Sequence, residues 1–336
     1  LNHFWSIVVK AAWYECVGAA CDVLQLGEMP DPQPGPGQVR VRLQWSGVNP
    51  SDVKSRGGVR SQTLPFARIV PHSDGAGVID AVGEGVNAAR LGERVWTWNA
   101  GWGRPFGTAA QFVCLPEAQA VYLPEATSGE AGACLGIPAL TALHAVLVDG
   151  GVAGKTVLVQ GGAGAVGHYA VQFAARLGAR RVIATVSTPH KAELARAAGA
   201  DDVIFYKSEP VAERARQLAG GQGVDRIIEM DLAGNAAADF EALRPDGELV
   251  VYGSAASPLT LPFFPLISKN IGLKFFIVYN LAADDRARAH AVLQRMLARG
   301  ELAHNIAERL PLSEIARGHE LIEQGQVGGN LVLKVD

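Results

Sequence analysis

In VRVRLQWSGV, residues 39–48, apolar and polar positions alternate: Val39, Val41, Leu43 and Trp45 fall on one face, Arg40, Arg42 and Gln44 on the other. A period of two predicts a half-buried strand. Short strands are also predicted between Val8 and Asp31, and again through GAGVIDAVGEGV and GERVWTW to about Val121. The intervening PDPQPGPGQ is too rich in proline and glycine for helix. The first third therefore reads as an irregular, mostly β domain. At Pro124–Thr127 the pattern changes, and ATSGEAGACLGIPALTALHAVL places alanine and leucine at helical spacing.

Beyond this point strand and helix text alternate, with strands predicted at 156–160, 181–186, 202–206, 225–230, 248–253 and 273–279. Such alternation implies an α/β fold with a doubly wound parallel sheet, whose ligands bind outside the carboxyl ends of the strands. Residues 284–299 predict a helix with acids at its start, bases at its end and Gly300 as a stop. Ser313 is expected to cap a second helix, SEIARGHELIEQG, before a closing strand, NLVLKV. These elements follow a complete sheet and are expected to return to the first domain. The expected division is thus 1–125 completed by 284–336, and 126–283. The apolar strand LKFFIVY is expected to pair edge to edge with a symmetry mate, giving a homodimer or homotetramer.

With 336 residues, 49% of them hydrophobic, the chain can bury two cores. A net charge of -3 without a basic block gives no footprint for nucleic acid or an anionic membrane, and no apolar run reaches bilayer length. The opening LNHFWSIVVKAAWYE lacks the features of a signal peptide, and no function is placed on its first residues. Cys16, Cys21, Cys114 and Cys134 show no C-x-x-C spacing, which suits reduced thiols and a cytoplasmic location.

The chemistry concentrates in Thr156–Gly167, TVLVQGGAGAVG, followed at once by the helix-compatible HYAVQFAARLG. Gly162, Gly164 and Gly167 satisfy G-x-G-x-x-G, and Gly161, Gly164 and Gly167 a looser repeat. Between a strand and a helix, Gly161 to Gly167, with Ala163, Ala165 and Val166 between the glycines, would let backbone N–H groups close on a pyrophosphate. The neighbouring Gly154-Lys155-Thr156 imitates a P-loop, but Asp149 stands where its first glycine should be and the trio precedes a strand.

NAD is favoured by an acid about 20 residues beyond the glycines. Here the second strand ends in Val186, Ser187 and Thr188, with Lys191 one helical turn on. Hydroxyls and an ammonium would welcome a 2′-phosphate, so NADPH is the expected cofactor, unless Lys191 is a solvated helix-surface lysine. Tyr206 would pack against the adenosine or cover the sheet edge.

The chain resembles the medium-chain dehydrogenase/reductase superfamily, and specifically the zeta-crystallin-like NADPH:quinone oxidoreductases. The resemblance rests on collinear stretches from about Val9 onward: GVNPSDVKSRGG, VPHSDGAGVIDAVGEGV, GERVW, GTAAQFV, LGIPALTALHAV, VLVQGGAGAVG, STPHK, IIEM and VVYGS. It implies a GroES-like β domain plus a Rossmann domain. It further implies that Asn49 and Thr141 lie at the nicotinamide end, Lys191 and Tyr206 at the phosphate, and Gly253, Ser254 and Asn330 near the dinucleotide.

Zinc members of that superfamily need three protein ligands and one open position. Asn49 stands where their first cysteine would be, their histidine–glutamate pair appears as His72-Ser73-Asp74, and the structural cysteine lobe is missing. The expectation is therefore no metal, and hydride transfer to an acceptor already primed for it: a quinone, or alternatively an enone or enal. Asn49 would hydrogen-bond near the nicotinamide or substrate oxygen. Lys54 with Arg56 would stabilise a developing enolate or quinolate oxygen, or sit on a solvated surface. Trp98, Trp102 and Phe106 would wall a planar substrate, or be ordinary packing. A non-catalytic, crystallin-like NADPH-binding role is the other expectation left open.

Overall fold

The computed structural model describes residues 8–335. By its contacts the chain divides into two units: up to Ile137 together with the stretch from Leu297, and Pro138–Met296. The helix Ala283–Ala298 thus falls almost wholly in the second.

In the first unit the alternating stretch forms the long strand Gln38–Val48. Val39, Val41 and Leu43 are buried and Arg42 and Gln44 exposed, as the pattern predicts; Trp45 is only half-buried, at a register shift against the next strand. This strand pairs with Asp74–Val82, Phe112–Pro116 and Asn330–Lys334, all antiparallel. The closing strand therefore joins the first sheet, Leu331 opposite Val48, and Ile306–Pro311 lies parallel beside it. Arg94–Thr97 and Ala120–Tyr122 complete the sheet, while Val8–Trp13 and Gln25–Pro30 form a hairpin. Ser313 does not cap. It lies inside the 3₁₀ turn Leu312–Glu314, and the helix begins at Ile315 with Glu314 as its cap residue.

The helical segment after Pro124 is interrupted. A short helix, Gly129–Gly132, leads into a π turn, Leu135–Ala139, before the regular helix Leu140–Leu147. Pro138, which has no N–H to donate, sits in that turn.

In the second unit six parallel strands take the order Asp202–Phe205, Arg181–Val186, Thr156–Val159, Val224–Glu229, Leu243–Val251, Gly272–Phe275. The first of these in sequence, Thr156–Val159, lies inside the sheet and is fully buried, which explains its continuous apolar text. The edge strand is four residues long, shorter than LKFFIVY suggests, because Val278–Asn280 turns into a 3₁₀ helix.

Candidate functional site

The glycine turn joins the end of Thr156–Val159 to the helix Ala165–Arg176. Gly161 has φ +67, a conformation that costs other residues energy. A side chain at Gly162 would strike Ala184, and one at Gly167 would strike the Gly161 carbonyl. The helix caps on Gly164 without any capping side chain, and its first intrahelical bond runs from His168 N–H to the Gly164 carbonyl, 3.0 Å. The N–H groups of Ala165, Val166 and Gly167 precede that bond and have no helical carbonyl to meet. Together with the positive end of the helix dipole they form a cradle suited to an anion. Ala163 is buried within the turn.

The neighbouring strand, second in sequence, ends at Val186. Ser187 is half-buried, and Thr188 caps the helix Pro189–Ala198, its Oγ1 accepting from Lys191 N–H at 3.3 Å. The Lys191 side chain meets no carboxylate among the described residues. Tyr206, half exposed, follows the neighbouring strand, its N–H bonded to Val186 carbonyl at 3.2 Å. Register thus brings Ser187 and Tyr206 to adjacent strand ends. Gly253 lies against the Met230 carbonyl, where a Cβ could not fit, and Ser254 Oγ donates to the Ala256 carbonyl at 2.8 Å. Thr141 is buried in the helix Leu140–Leu147.

In the first unit Asn49 begins the helix Pro50–Arg56. Its Nδ2 donates to Asp74 Oδ2 at 2.9 Å and its backbone N–H to Asp52 at 2.8 Å. Asp74 Oδ2 also accepts from Ile137 N–H at 3.0 Å. Burial pushes the Asp74 carboxyl well above its ordinary range. Beside it runs a directed chain. Thr108 donates to the Asp74 carbonyl at 2.6 Å and therefore accepts from Ser46 at 2.8 Å, which in turn accepts from His72 Nδ1 at 2.8 Å. His72 Nε2 is then an acceptor, 2.9 Å from His319 Nε2. Both His72 nitrogens are committed, at a residue strained by φ +75. His72 is thus half of a buried histidine pair. The donor set does not suit zinc: an amide replaces a thiolate, the imidazole has no spare lone pair, and the described residues hold no cluster of three metal-binding side chains.

Lys54 and Arg56 are separated. Arg56 is buried, ion-paired to Glu323 at 2.6 Å and bonded to the Gly18 carbonyl; it is neither a solvated surface residue nor a free charge. Lys54 is half-buried. Trp98 donates its indole N–H to the Ala118 carbonyl at 3.2 Å, whereas Trp102 and Phe106 are 40% and 49% exposed. Asn330 is buried, its amide donating to the Asn305 carbonyl at 3.0 Å.

Burial shifts several groups in opposite senses. It draws His72 down to about 3 and His168 and His290 to about 4, with His144 and His319 also lowered. It raises Asp52 to about 7 and Asp239 to about 9, with Asp74 also raised. Depressed histidines contribute stability that is lost as pH falls below 6.5, and raised carboxyls contribute stability that is lost as pH rises. Below pH 6.5 the histidines outnumber the carboxyls; above it the carboxyls act alone. Calorimetric unfolding is expected to show a maximum between about pH 6 and 7, each group worth up to about 1.4 kcal/mol per pH unit. A stability still rising at pH 9 would contradict it.

Comparison with known proteins adds the following. The model described as "Alcohol dehydrogenase GroES-like domain" matches residues 35–125, and that described as "Zinc-binding dehydrogenase" matches 165–297. A quinone oxidoreductase of Lama guanicoe is 30% identical over 317 residues, 93% of each chain. A 2-haloacrylate reductase of Burkholderia sp. is 31% identical over 317 residues, 89% of this chain and 91% of its own. Among solved structures, an NAD-dependent alcohol dehydrogenase is similar with TM-score 0.88 and 31% identity, over 97% of this chain and 100% of that one. A mycobacterial protein solved in complex with NADPH is similar with TM-score 0.85 and 29% identity, over 97% of this chain and 99% of that one.

Proposed function

This chain belongs to the quinone oxidoreductase family of the medium-chain dehydrogenase/reductase superfamily, and we propose that it is an NADPH-dependent, zinc-independent reductase whose acceptor is a quinone. The observation that carries the cofactor reading is the glycine cradle, with hydroxyls and an unopposed ammonium where an NAD site would hold an acid. When bound, NADPH would supply hydride from nicotinamide C4. The protein's part is to bind and orient. The N–H groups of Ala165, Val166 and Gly167 hold the pyrophosphate, and Ser187, Lys191 and Tyr206 receive the 2′-phosphate and adenosine. Asn49, buried with its amide held by Asp74, would hydrogen-bond near the nicotinamide or the acceptor oxygen. Lys54 supplies positive charge where negative charge develops on that oxygen. Trp102 and Phe106, with Trp98, offer flat apolar surface to a planar acceptor.

An activated alkene is the second acceptor class, favoured by the likeness to a 2-haloacrylate reductase. Turnover with NADPH and NADH across ortho- and para-quinones, enones and enals, with and without chelator, separates the readings. Quinones are expected to be reduced fastest, with NADPH preferred and the chelator without effect. For Lys191→Glu, kcat/KM with NADPH is expected to fall about 100-fold or more, the worth of a phosphate ion pair turned to repulsion, while NADH changes less than about threefold. Equal losses would remove Lys191 from the site.

A further inference from the structure

Beneath the glycine turn lies a buried polar chain with a definite direction. Gly161 N–H donates to Thr185 Oγ1 at 2.9 Å; that hydroxyl donates to Gln160 Oε1 at 2.7 Å; Gln160 Nε2 donates to Asp239 Oδ1 at 2.7 Å. Gln160 and Thr185 are 4% and 2% exposed, and Asp239 and Glu229 are fully buried. At the far end Asp239 faces Glu229, which already accepts from the Asp231 N–H and from Asn235 Nδ2 at 3.1 and 3.2 Å. Surrounded by donors, Glu229 is the acceptor of the pair. Asp239 Oδ2 finds no partner of its own, and a proton on it, directed at Glu229, would satisfy both carboxyls.

We propose that protonated Asp239 is a positioning residue for the cofactor turn, holding Gln160 so that its carbonyl orients the Thr185 hydroxyl and, through it, the Gly161 peptide. The inference rests on the cofactor reading of that turn only for its consequence, since the chain of bonds belongs to the protein alone. A neutral Asp239 offers one acceptor and one donor, the pattern that Gln160 and Glu229 require. An ionised one repels Glu229 and withdraws the donor. Burial, then the Glu229 charge, raise the Asp239 carboxyl to about 9, and no lysine or arginine acts on it. Of the groups around the pair, Asp231 accepts from Ala255 N–H at 2.7 Å. Tyr252, in the same surroundings, has its phenol raised by burial and by Glu229. The Gln160 amide, donating to Oδ1, pulls the other way, but burial and the Glu229 charge outweigh it.

The test combines amide hydrogen exchange at Gly161, measured by NMR without cofactor, with the Kd for NADPH. Asp239→Asn reproduces the acceptor and donor of the protonated acid. It is expected to keep Gly161 protection and to bind NADPH within about twofold of the unaltered protein at pH 7. Asp239→Leu is expected to lose about tenfold in both, the worth of one hydrogen bond. Thr185→Val, which removes only the linking hydroxyl far from the acids, is expected to lose Gly161 protection likewise. Between pH 8 and 10 the unaltered protein should lose NADPH affinity where Asp239→Asn does not. Gly161 protection that is the same in all four proteins would overturn the proposal, as would an Asp239→Asn variant as impaired as Asp239→Leu. Failure of the unaltered protein to bind NADPH or NADH, with the protection pattern as expected, would overturn the cofactor reading and leave the positioning of the turn supported.

Discussion

Gly167→Ala is expected to abolish tight nucleotide binding, raising the Kd for NADPH at least about 100-fold, on the order of 2.7 kcal/mol. The added methyl would collide with the Gly161 carbonyl and the Gly162 Cα. Both obstacles are backbone, so no rotamer change relieves them. The turn must open, and opening moves the N–H groups of the first helical turn away from the positions at which they converge. The same overpacking should lower stability by about 1–3 kcal/mol. Gly164→Ala is the matched control. A Cβ there would come 3.3 Å from the Gly161 carbonyl, a distance a small shift accommodates, so its loss should be under tenfold. Calorimetric titration of both variants checks the pair; near-normal binding by Gly167→Ala would remove the turn from the binding site.

The second large effect concerns stability. Arg226 is fully buried, yet it bonds to Glu248 at 2.6 Å and to the carbonyls of Ala145, Val146 and Asp149 at 3.4, 3.3 and 3.2 Å. It thereby closes the C-terminal end of the helix Leu140–Leu147, where carbonyls lack helical partners. Glu248 is partly exposed and is shared with Lys155 at 2.7 Å. Burial would push its carboxyl upward, but hydrogen bonds from Lys155 and Arg226 hold it below its ordinary range. The asymmetry predicts the ranking. Arg226→Met removes the charge, leaving Glu248 its lysine and some water. Glu248→Ala leaves a guanidinium buried with carbonyls alone. Glu248→Ala is therefore expected to be the worse, at about 3–5 kcal/mol, and Arg226→Met milder by about 1 kcal/mol or more. Urea unfolding monitored by circular dichroism decides the order, and a milder Glu248→Ala would refute this account.

Periodicity was informative where a whole face is buried. Val39, Val41 and Leu43 announce their strand because three buried side chains repeat every second residue, and Thr156–Val159 announces an interior strand because both its faces are covered. The glycine turn was legible because close backbone approach admits no other residue. What the sequence hid are contacts made by polar residues distant along the chain. Thr185 and Glu229 stood as polar letters beside apolar ones near the ends of their strands, and nothing local says that Gln160 and Asp239 complete them. A polar residue inside a buried parallel strand is the available signal, since it must find a partner. His319 was no more visible, 247 positions from the His72 ring it meets. Ser313 failed as a cap for a local reason: the chain tightens into a 3₁₀ turn first, and the cap position moves to Glu314.

The closing strand imposes an order in time. Asn330–Lys334 pairs with Gln38–Val48, so the first sheet cannot close until the closing strand, nearly 300 residues further along the chain, has left the ribosome. The parallel sheet of Pro138–Met296 has no such dependence and can assemble while the tail is still being made. During synthesis the early strands must wait with an unpaired edge, the condition in which a chain is most exposed to aggregation. Its demand for a chaperone should therefore centre on the first unit, although the second holds the six-stranded parallel sheet.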